Sequence, residues 1–240
     1  MKLYGELASW WSVLRPVESY AEQAAWIIGL SEALAESPVT SLLELGSATG
    51  HLAANLPASM DVVLVDASES MLQLSRDLNP EHRHVQADLR TVRLEQVFDV
   101  VVLHDAVMYM LTEGDLAAAL ETCAAHLASG GVAAVLPDLV RESFEERTVK
   151  GAGKSVDGRS ARLTERHWDP DPEDTTTQVD FTLRLRESDG SRRTVRESHQ
   201  LGVFDRPTWA RLVEAAGFDL HWAELPEELG LGECFLLRRR

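Results

Sequence analysis

Residues 42–53 read LLELGSATGHLA: a short apolar run, then small residues with two glycines, then a helix-like sequence. Small residues between a strand and a helix let the backbone approach another molecule closely. A glycine turn after the first strand of an open α/β sheet marks the crevice where such sheets bind ligands. The stretch therefore predicts a ligand site. We expect a helix over Gly50–Leu56 to offer its free N–H groups to that ligand.

Strand and helix patterns alternate on both sides of this turn. The predicted strands cover Ser41–Leu45, Asp61–Val65, His84–Ala87, Phe98–Leu103 and Val132–Leu136. The predicted helices cover Glu18–Glu36, Gly50–Leu56, Ser68–Leu78 and Asp115–Leu127, the last closed by a glycine cap at Gly130-Gly131. This alternation is typical of a parallel sheet with helices on both faces. We predict an α/β fold with a Rossmann-like, seven-stranded, mostly parallel sheet.

The pattern changes after Pro137. Longer, more polar strands are predicted over Ser160–Asp169, Thr175–Glu187 and Arg192–Leu201, with a hairpin turn at Asp189-Gly190. Residues 138–206 are therefore expected to form an inserted antiparallel β cap for the substrate, packed by one face on the main sheet. A helix over Pro207–Ala216, capped by Gly217, and strands over Phe218–Ala223 and Glu233–Leu237 then complete the main sheet. Residues 1–137 and 207–240 would form the ligand-binding domain, with an N-terminal helical lid.

Composition and charge limit the partners. The 240 residues carry a net charge of −16, which disfavours nucleic acid because binding needs many Lys and Arg contacts to phosphates. No apolar run is long enough to cross a bilayer, and the N-terminus lacks a signal-peptide core, so we expect a cytoplasmic protein without membrane binding. The two cysteines match no metal spacing, and no metal is predicted. A small molecule is the partner that best fits the composition and charge. Whether the chain forms a homodimer stays open.

Two cofactor classes compete for the glycine turn. A dinucleotide site requires G-x-G-x-x-G, but counting from Gly46 the second glycine position holds Ala48 and the third holds His51. The alternative pattern has an acid two residues before the first glycine and another glycine four residues after it. Glu44, Gly46 and Gly50 satisfy that pattern.

With these residues the sequence resembles the class I methyltransferases that use S-adenosylmethionine. Their first motif, an acid followed by G-x-G-x-G, here reads E-L-G-S-A-T-G, and Ala48 fits the middle position if its φ is negative. The acid at Asp66 can accept hydrogen bonds from two ribose hydroxyls; the alternative is a helix-terminal acid with Ser68 as the cap. In the family, the acid matching Asp88 faces the adenine amino group.

The resemblance assigns sixteen residues to the cofactor. They are Tyr20, Glu44, Gly46, Ser47, Ala48, Gly50, His51, Asp66, Ala67, Ser68, Met71, Asp88, Leu89, Arg90, His104 and Asp105. The product would be S-adenosylhomocysteine.

More specifically, the chain resembles small-molecule methyltransferases of actinobacterial secondary metabolism, including N,N-dimethyltransferases of amino sugars. Their N-terminal tyrosine near the cofactor, in D-Y-A-A-E-A, matches Tyr20 in S-Y-A-E-Q-A. Their substrate-facing acid, in P-E-T-F after the fifth strand, matches Glu142 in R-E-S-F. The fourth strand differs, because those enzymes lack His104-Asp105 there. The identity of the substrate therefore does not carry over.

The sequence indicates catalytic residues less directly than cofactor-binding residues, since methyl transfer from an activated donor mainly requires alignment of the reactants. The catalytic candidates are His104, Tyr109 and Glu142. His104 is either a base or substrate contact, or a histidine hydrogen-bonded to backbone beside the cofactor. The substrate candidates are Trp11, Tyr109, Glu142 and His167. His167 is preferred over His199 because it begins the distinctive run H-W-D-P-D-P. Of Trp10 and Trp11, one is expected to anchor the lid and the other to cover the site.

These observations predict an enzyme that methylates an N or O atom of a small molecule, such as a secondary metabolite or its sugar precursor. Methylation of a peptide, protein or RNA is the second interpretation, although the charge disfavours RNA. A protein that binds S-adenosylmethionine without transferring its methyl group is the third. A nicotinamide dehydrogenase is the weakest, because its glycine pattern fails.

Overall fold

The computed structural model describes residues 1–155, 157–223 and 233–240. Its strands are β1 (Ser41–Leu45), β2 (Asp61–Asp66), β3 (Arg83–Gln86), β4 (Phe98–Leu103), β5 (Leu127–Val135), β6 (Arg147–Lys154), β7 (Ser160–Trp168), β8 (Thr176–Arg186), β9 (Arg192–Gly202), β10 (Phe218–Ala223) and β11 (Cys234–Arg239). Its α-helices are α1 (Trp11–Leu14), α2 (Ala21–Leu34), α3 (Glu69–Leu78), α4 (Glu113–His126) and α5 (Arg206–Ala215). Within these described ranges, no helix has the length and apolar character of a membrane span.

The main sheet has seven strands in the order β10-β11-β5-β4-β1-β2-β3. Strands β1 to β5 pair in parallel, and β11 pairs antiparallel with both β5 and β10. Strand β4 reads as a continuous apolar run because helices cover both faces of the sheet. The predicted α/β fold is therefore confirmed. The carboxyl ends of β1, β2 and β4 meet at one edge of this sheet.

Strands β6 to β9 form the predicted antiparallel sheet. The hairpin turn at Asp189-Gly190 is confirmed: Gly190 has a φ of +86°, and the N–H of Glu187 donates to the carbonyl of Ser191 at 2.9 Å. Strand β6 was not predicted, because its residues do not alternate between polar and apolar. One reason is Gly153, where a Cβ would lie 1.6 Å from the carbonyl oxygen of Val13. Close packing against α1 leaves no room for an apolar side chain there.

The antiparallel sheet does not pack on the main sheet as expected. Its apolar face, which includes Leu163, Leu183 and Leu201, packs instead on the N-terminal segment, residues 3–14. Trp10 is buried in that interface, whereas Trp11 faces a cavity. The expectation that one tryptophan anchors and the other covers is confirmed. The N-terminal segment thus lies between the cap and the sheet edge that holds the glycine turn.

Two predicted helix boundaries are wrong. The segment after Gly50 contains a 3-10 helix of three residues, Ala53–Asn55, and not an α-helix over Gly50–Leu56. Helix α4 ends at His126 and continues directly into β5, so Gly130-Gly131 lies inside a strand and caps no helix. Gly130 has a φ of +74°, which suits the irregular pairing of β5 with β4. A local glycine signal could not distinguish a helix cap from a strand irregularity.

Candidate active site

A cavity of about 350 Å³ lies at the carboxyl ends of β1, β2 and β4, beneath the N-terminal segment. Of the residues predicted for cofactor and substrate, those that line it are Trp11, Tyr20, Glu44, Gly46, Ser47, Ala48, His51, Asp66, Ala67, Ser68, Asp88, Leu89, Arg90, His104, Asp105 and Tyr109. This position agrees with the rule that open α/β sheets bind ligands outside the carboxyl ends of their strands.

The glycine turn forms the floor of the cavity. Gly46 has a φ of +78°, and a Cβ on it would lie 2.1 Å from the Cβ of Ala106, so only glycine fits. Ala48 has a φ of +46°, the one positive value among the described non-glycine residues. The condition under which alanine would fit this position without strain, a negative φ, is therefore not met. Its N–H donates to Asp66 Oδ2 at 2.8 Å, which holds the strained residue in place.

Replacing Ala48 by glycine is expected to stabilise the protein. Glycine adopts a positive φ without the steric penalty that alanine carries, so we expect a gain of about 1 kcal/mol. For a chain of this length that gain raises the melting temperature by about 2–4 °C. Ala67→Gly, at a residue without positive φ, is the control and should lower it. Equal melting temperatures for Ala48→Gly and the wild type would show that the turn carries no strain.

Asp66 holds the backbone on both sides of the cavity, and its expected contact with the ribose hydroxyls stays a prediction. Its Oδ2 accepts the N–H of Ala48, and its Oδ1 accepts the N–H of Ser68 at 2.7 Å, while the side chain also lines the cavity. Ser68 caps α3 by accepting the N–H of Met71 at 3.2 Å, and its hydroxyl donates to the carbonyl of Tyr4 at 2.5 Å. One carboxylate therefore joins the two loops around the cavity.

Several buried polar atoms at the first turn have no partner within the described part of the chain. They are Glu44 Oε2, Ser47 Oγ, Thr49 Oγ1 and His51 Nδ1, on residues that all line the cavity. Buried polar groups are normally hydrogen-bonded, so unpartnered atoms at a cavity indicate a ligand with donors and acceptors. The amino acid part of S-adenosylmethionine carries an ammonium and a carboxylate, which fit this set. Burial raises the pKa of Glu44 to about 8.

Glu44→Gln is expected to make the ligand-free protein more stable in alkaline solution. Because burial raises the folded-state pKa of Glu44, its contribution is greatest below its unfolded pKa and is lost as pH rises toward about 8. Glutamine never ionises, so the advantage of the variant should grow to a few kcal/mol across that range. Melting temperatures measured from acidic to alkaline buffer test this. Glu69→Gln is the control, because Arg76 lowers the pKa of that exposed group. If the melting temperatures of the wild type and Glu44→Gln changed with pH in the same way, the prediction would be contradicted.

The opposite end of the cavity is shaped by an ion-pair cluster. The Arg90 guanidinium contacts Asp88 at 2.6 Å and Asp115 at 2.6 Å. Hydrogen bonds from Arg90 lower the pKa of the Asp88 carboxyl. Asp88 lines the cavity as the resemblance implies, but both of its oxygens are engaged by Arg90.

The loop after β4 brings acids together with a neutral histidine. His104 Nε2 lies 2.6 Å from Gln23 Nε2 and 3.0 Å from Asp105 Oδ1. Burial lowers the pKa of His104 to about 4, so this imidazole is neutral at pH 7 and a weaker base than free histidine. The carboxyl groups of Asp105 and Asp138 hydrogen-bond to each other, and burial raises the pKa of both. Such a pair shares a proton near neutrality.

Four predicted residues lie outside the cavity lining. Gly50 faces α3, where a Cβ would lie 2.3 Å from Ser75 Oγ, and Met71 is fully buried. Glu142 accepts the N–H of Arg206 at 2.9 Å, at the start of α5. His167 lies on β7, with Nε2 3.6 Å from Glu165 Oε2. The matching of Glu142 to the family acid is therefore not supported by its position.

Sequence reasoning missed Tyr4 and Asp138. Tyr4 lines the cavity from the N-terminal segment, and its hydroxyl lies 2.8 Å from that of Tyr109. Nothing in its neighbourhood signals this role, because the contact spans 105 positions. Asp138 stands in L-P-D, just beyond the last residue of β5. The rule that led to His104-Asp105 after β4 could have found it after β5.

Comparisons with known proteins agree with this geometry. Residues 42–131 match the model of a methyltransferase domain. The chain is 29% identical over 210 residues to the dTDP-3-amino-3,4,6-trideoxy-alpha-D-glucopyranose N,N-dimethyltransferase of Streptomyces venezuelae, covering 86% of each protein. It is 28% identical over 187 residues to the dTDP-3-amino-3,6-dideoxy-alpha-D-glucopyranose N,N-dimethyltransferase of Streptomyces fradiae, covering 76% of this chain and 71% of that one.

Solved structures share the fold. DesVI of Streptomyces venezuelae superposes with a TM-score of 0.83 at 23% identity, covering 92% of each chain. CalS10, an amino pentose methyltransferase from Micromonospora echinaspora with S-adenosylmethionine bound, gives 0.80 at 24% identity and the same coverage. The glycine turn, the acid after β2 and the unpartnered atoms at the cavity agree with these matches. The chain is an S-adenosylmethionine-dependent methyltransferase with the class I fold.

Proposed function

We propose that this enzyme methylates the amine nitrogen of a small molecule, and that the acceptor is an amino sugar carried on a nucleotide. The observation that carries the proposal is Asp105, which lines the cavity, together with the carboxyl of Asp138 that contacts it. When bound, S-adenosylmethionine supplies a methyl carbon that bonds to the nucleophile while the carbon–sulfur bond breaks and sulfur keeps the electron pair.

The residues around the cavity favour an amine over an acidic acceptor. Asp105 opens into the cavity, and Glu165 of β7 adds to the negative potential that Asp105 and Asp138 experience. Such a site attracts an ammonium and repels a carboxylate. Neutral His104 can hold the acceptor without adding positive charge. The sugar part of the proposal rests on the two Streptomyces relatives, whose names specify amino sugars on dTDP.

A transfer assay with paired acceptors tests the proposal. The purified enzyme is incubated with methyl-labelled S-adenosylmethionine and a panel of dTDP-linked sugars, each amino sugar beside its hydroxyl counterpart. Label in the amino sugars only, with one or two methyl groups by mass spectrometry, is the expected result. Label in the hydroxyl sugars alone would show an oxygen acceptor. Label entering only protein or peptide from an extract would overturn the small-molecule assignment.

The cellular location and the oligomeric state of the enzyme are also parts of the proposal. We place the enzyme in the cytoplasm, where S-adenosylmethionine and nucleotide-linked sugars are made. A homodimer is a prediction that light scattering of the purified protein tests directly; a mass of one chain would contradict it.

A further inference from the structure

A chain of close polar contacts leads from the cavity into the cap. The hydroxyls of Tyr4 and Tyr109, both on the cavity wall, lie 2.8 Å apart. The Tyr109 hydroxyl lies 2.8 Å from His199 Nδ1, and His199 Nε2 lies 3.1 Å from Glu197 Oε1. His199 is 3% exposed, on β9. The histidine of the cap that connects with the cavity is therefore His199, whereas the sequence favoured His167.

Glu197 sets the direction of every proton in this chain. Burial opposes its ionisation, but the N–H groups of Leu3 and Lys2 and the His199 imidazole together hold its pKa below the usual range. Nε2 of His199 makes no well-aligned hydrogen bond within the described residues, but the carboxylate oxygen 3.1 Å from it disfavours a lone pair there. We therefore assign the hydrogen to Nε2, and Nδ1 then accepts the hydroxyl of Tyr109. The Tyr109 oxygen in turn accepts from Tyr4. The tyrosine oxygens thus face the cavity as acceptors, which suits an acceptor molecule bearing N–H groups.

We propose that His199, oriented by Glu197, is a positioning residue that removes a proton from the acceptor amine through Tyr109. This inference rests on the proposed amine methylation. An ammonium proton moves to the Tyr109 oxygen while the Tyr109 hydroxyl proton moves to His199 Nδ1. The nitrogen recovers the lone pair that it needs as a nucleophile, and the positive charge passes to the imidazole. Neither tyrosine ionises, because burial raises the pKa of both.

Acidic groups lie beside His199 and the two tyrosines. Glu197 of the same strand lies against Nε2, and the carboxyl groups of Asp105 and Asp138 act on the two tyrosines. On β8, the ring faces Phe181, at 4.8 Å between centroids, and Val179 is the strand partner of His199; neither carries a charge. The Glu197 carboxylate can balance the positive charge that the transferred proton brings to the ring. The same carboxylate of Glu197 also anchors the N-terminal segment through Lys2 and Leu3. A structural role and a proton-transfer role must therefore be separated by experiment.

His199→Asn and Tyr109→Phe separate the two roles. Asparagine can occupy the place of Nδ1 as a hydrogen-bonding group but cannot take up a proton. At neutral pH we expect kcat for an amino sugar to fall about 100-fold in each variant, the usual range for lost proton transfer. In alkaline buffer, where the amine loses its proton to water, kcat should recover toward the wild-type value. The double variant should be no slower than either single variant, because both interrupt one path.

Besides the methylation rate, the controls measure ligand affinity and thermal stability of the variants. The dissociation constant for S-adenosylhomocysteine, measured by calorimetry, should stay within about twofold of wild type in His199→Asn, whereas a displaced lid would weaken it further. His126→Asn removes another buried histidine, which accepts the N–H of Leu94 at 2.8 Å; it should lower the melting temperature without changing the shape of the pH profile.

Each outcome decides the inference. A pH profile of His199→Asn that runs parallel to that of a wild type active on amines would overturn the proton path and leave the proposed function intact. A wild type that methylates no amine would defeat the proposed function, and the inference with it. If His199→Asn does not fold, Tyr109→Phe and Glu197→Gln carry the test with the same expected alkaline recovery.

Discussion

Asp66→Ala is expected to raise the dissociation constant for S-adenosylhomocysteine about 100-fold, equivalent to about 3 kcal/mol. The carboxylate of Asp66 accepts the N–H groups of Ala48 and Ser68, at 2.8 and 2.7 Å, and lines the cavity. Its loss should therefore remove the expected contacts to the ribose hydroxyls and release both cavity loops. Hydrogen bonds to charged groups contribute about 1.5–3 kcal/mol each, which is the source of this magnitude. Isothermal titration calorimetry measures the effect without any acceptor substrate.

Asp99→Ala is the matched control for this loss. The Asp99 carboxylate also accepts backbone N–H groups, from Thr40 and Ser41 at 2.9 Å, but near the first residue of β4, at the opposite end of that strand from the cavity. We expect Asp99→Ala to lower the melting temperature and to leave ligand affinity unchanged. Equal loss of affinity in the two variants would mean that general destabilisation, and not the cavity position of Asp66, weakens binding.

Asp105→Asn is expected to lower kcat/KM for an amine acceptor about 100-fold, while the affinity for S-adenosylhomocysteine changes little. Truncating one partner of a buried charge pair costs about 2–5 kcal/mol, and we expect the lower end of that range because the Asp105 side chain is 52% exposed. Burial raises the pKa of Asp138 to about 8 and that of Asp105 to about 6, and their mutual hydrogen bond widens this gap. At pH 7, Asp138 therefore holds the shared proton and Asp105 carries the charge. Activity of the wild type should fall as pH drops through the pKa of Asp105.

Asp138→Asn provides the comparison. Its amide can donate a hydrogen bond to Asp105 as the protonated carboxyl of Asp138 does, so we expect a much smaller loss than in Asp105→Asn. Steady-state rates with one amino sugar, measured for both variants beside the wild type, test this difference. Losses in the reverse order would show that Asp138 carries the charge that meets the acceptor.

The parallel core and the cofactor turn were predictable because local sequence encodes them. The apolar runs of β1, β2 and β4 and the helix between β2 and β3 follow from periodicity and from caps such as Ser68. Glu44, Gly46 and Asp66 belong to this part, since each lies within two residues of the end of a strand. The positive φ of Ala48 was not predictable, because the conformation depends on its hydrogen bond to Asp66, 18 positions away.

The acceptor side of the cavity was decided by tertiary contacts. Glu142 and Asp138 are four positions apart after β5, and only the fold shows that Asp138 meets Asp105 while Glu142 binds the start of α5. His167 and His199 both lie on the cap, and only the packing of the N-terminal segment connects His199 with Tyr109, 90 positions away.

By itself, the sequence determined the α/β fold, the methyl donor and the side chains of the glycine turn, because the type of each strand, helix and turn is encoded in short stretches of chain. Only the tertiary structure decided which acids and which histidine face the acceptor. Those contacts join the N-terminal segment, the main sheet and the cap, and their distances depend on how apolar faces far apart in the chain pack together.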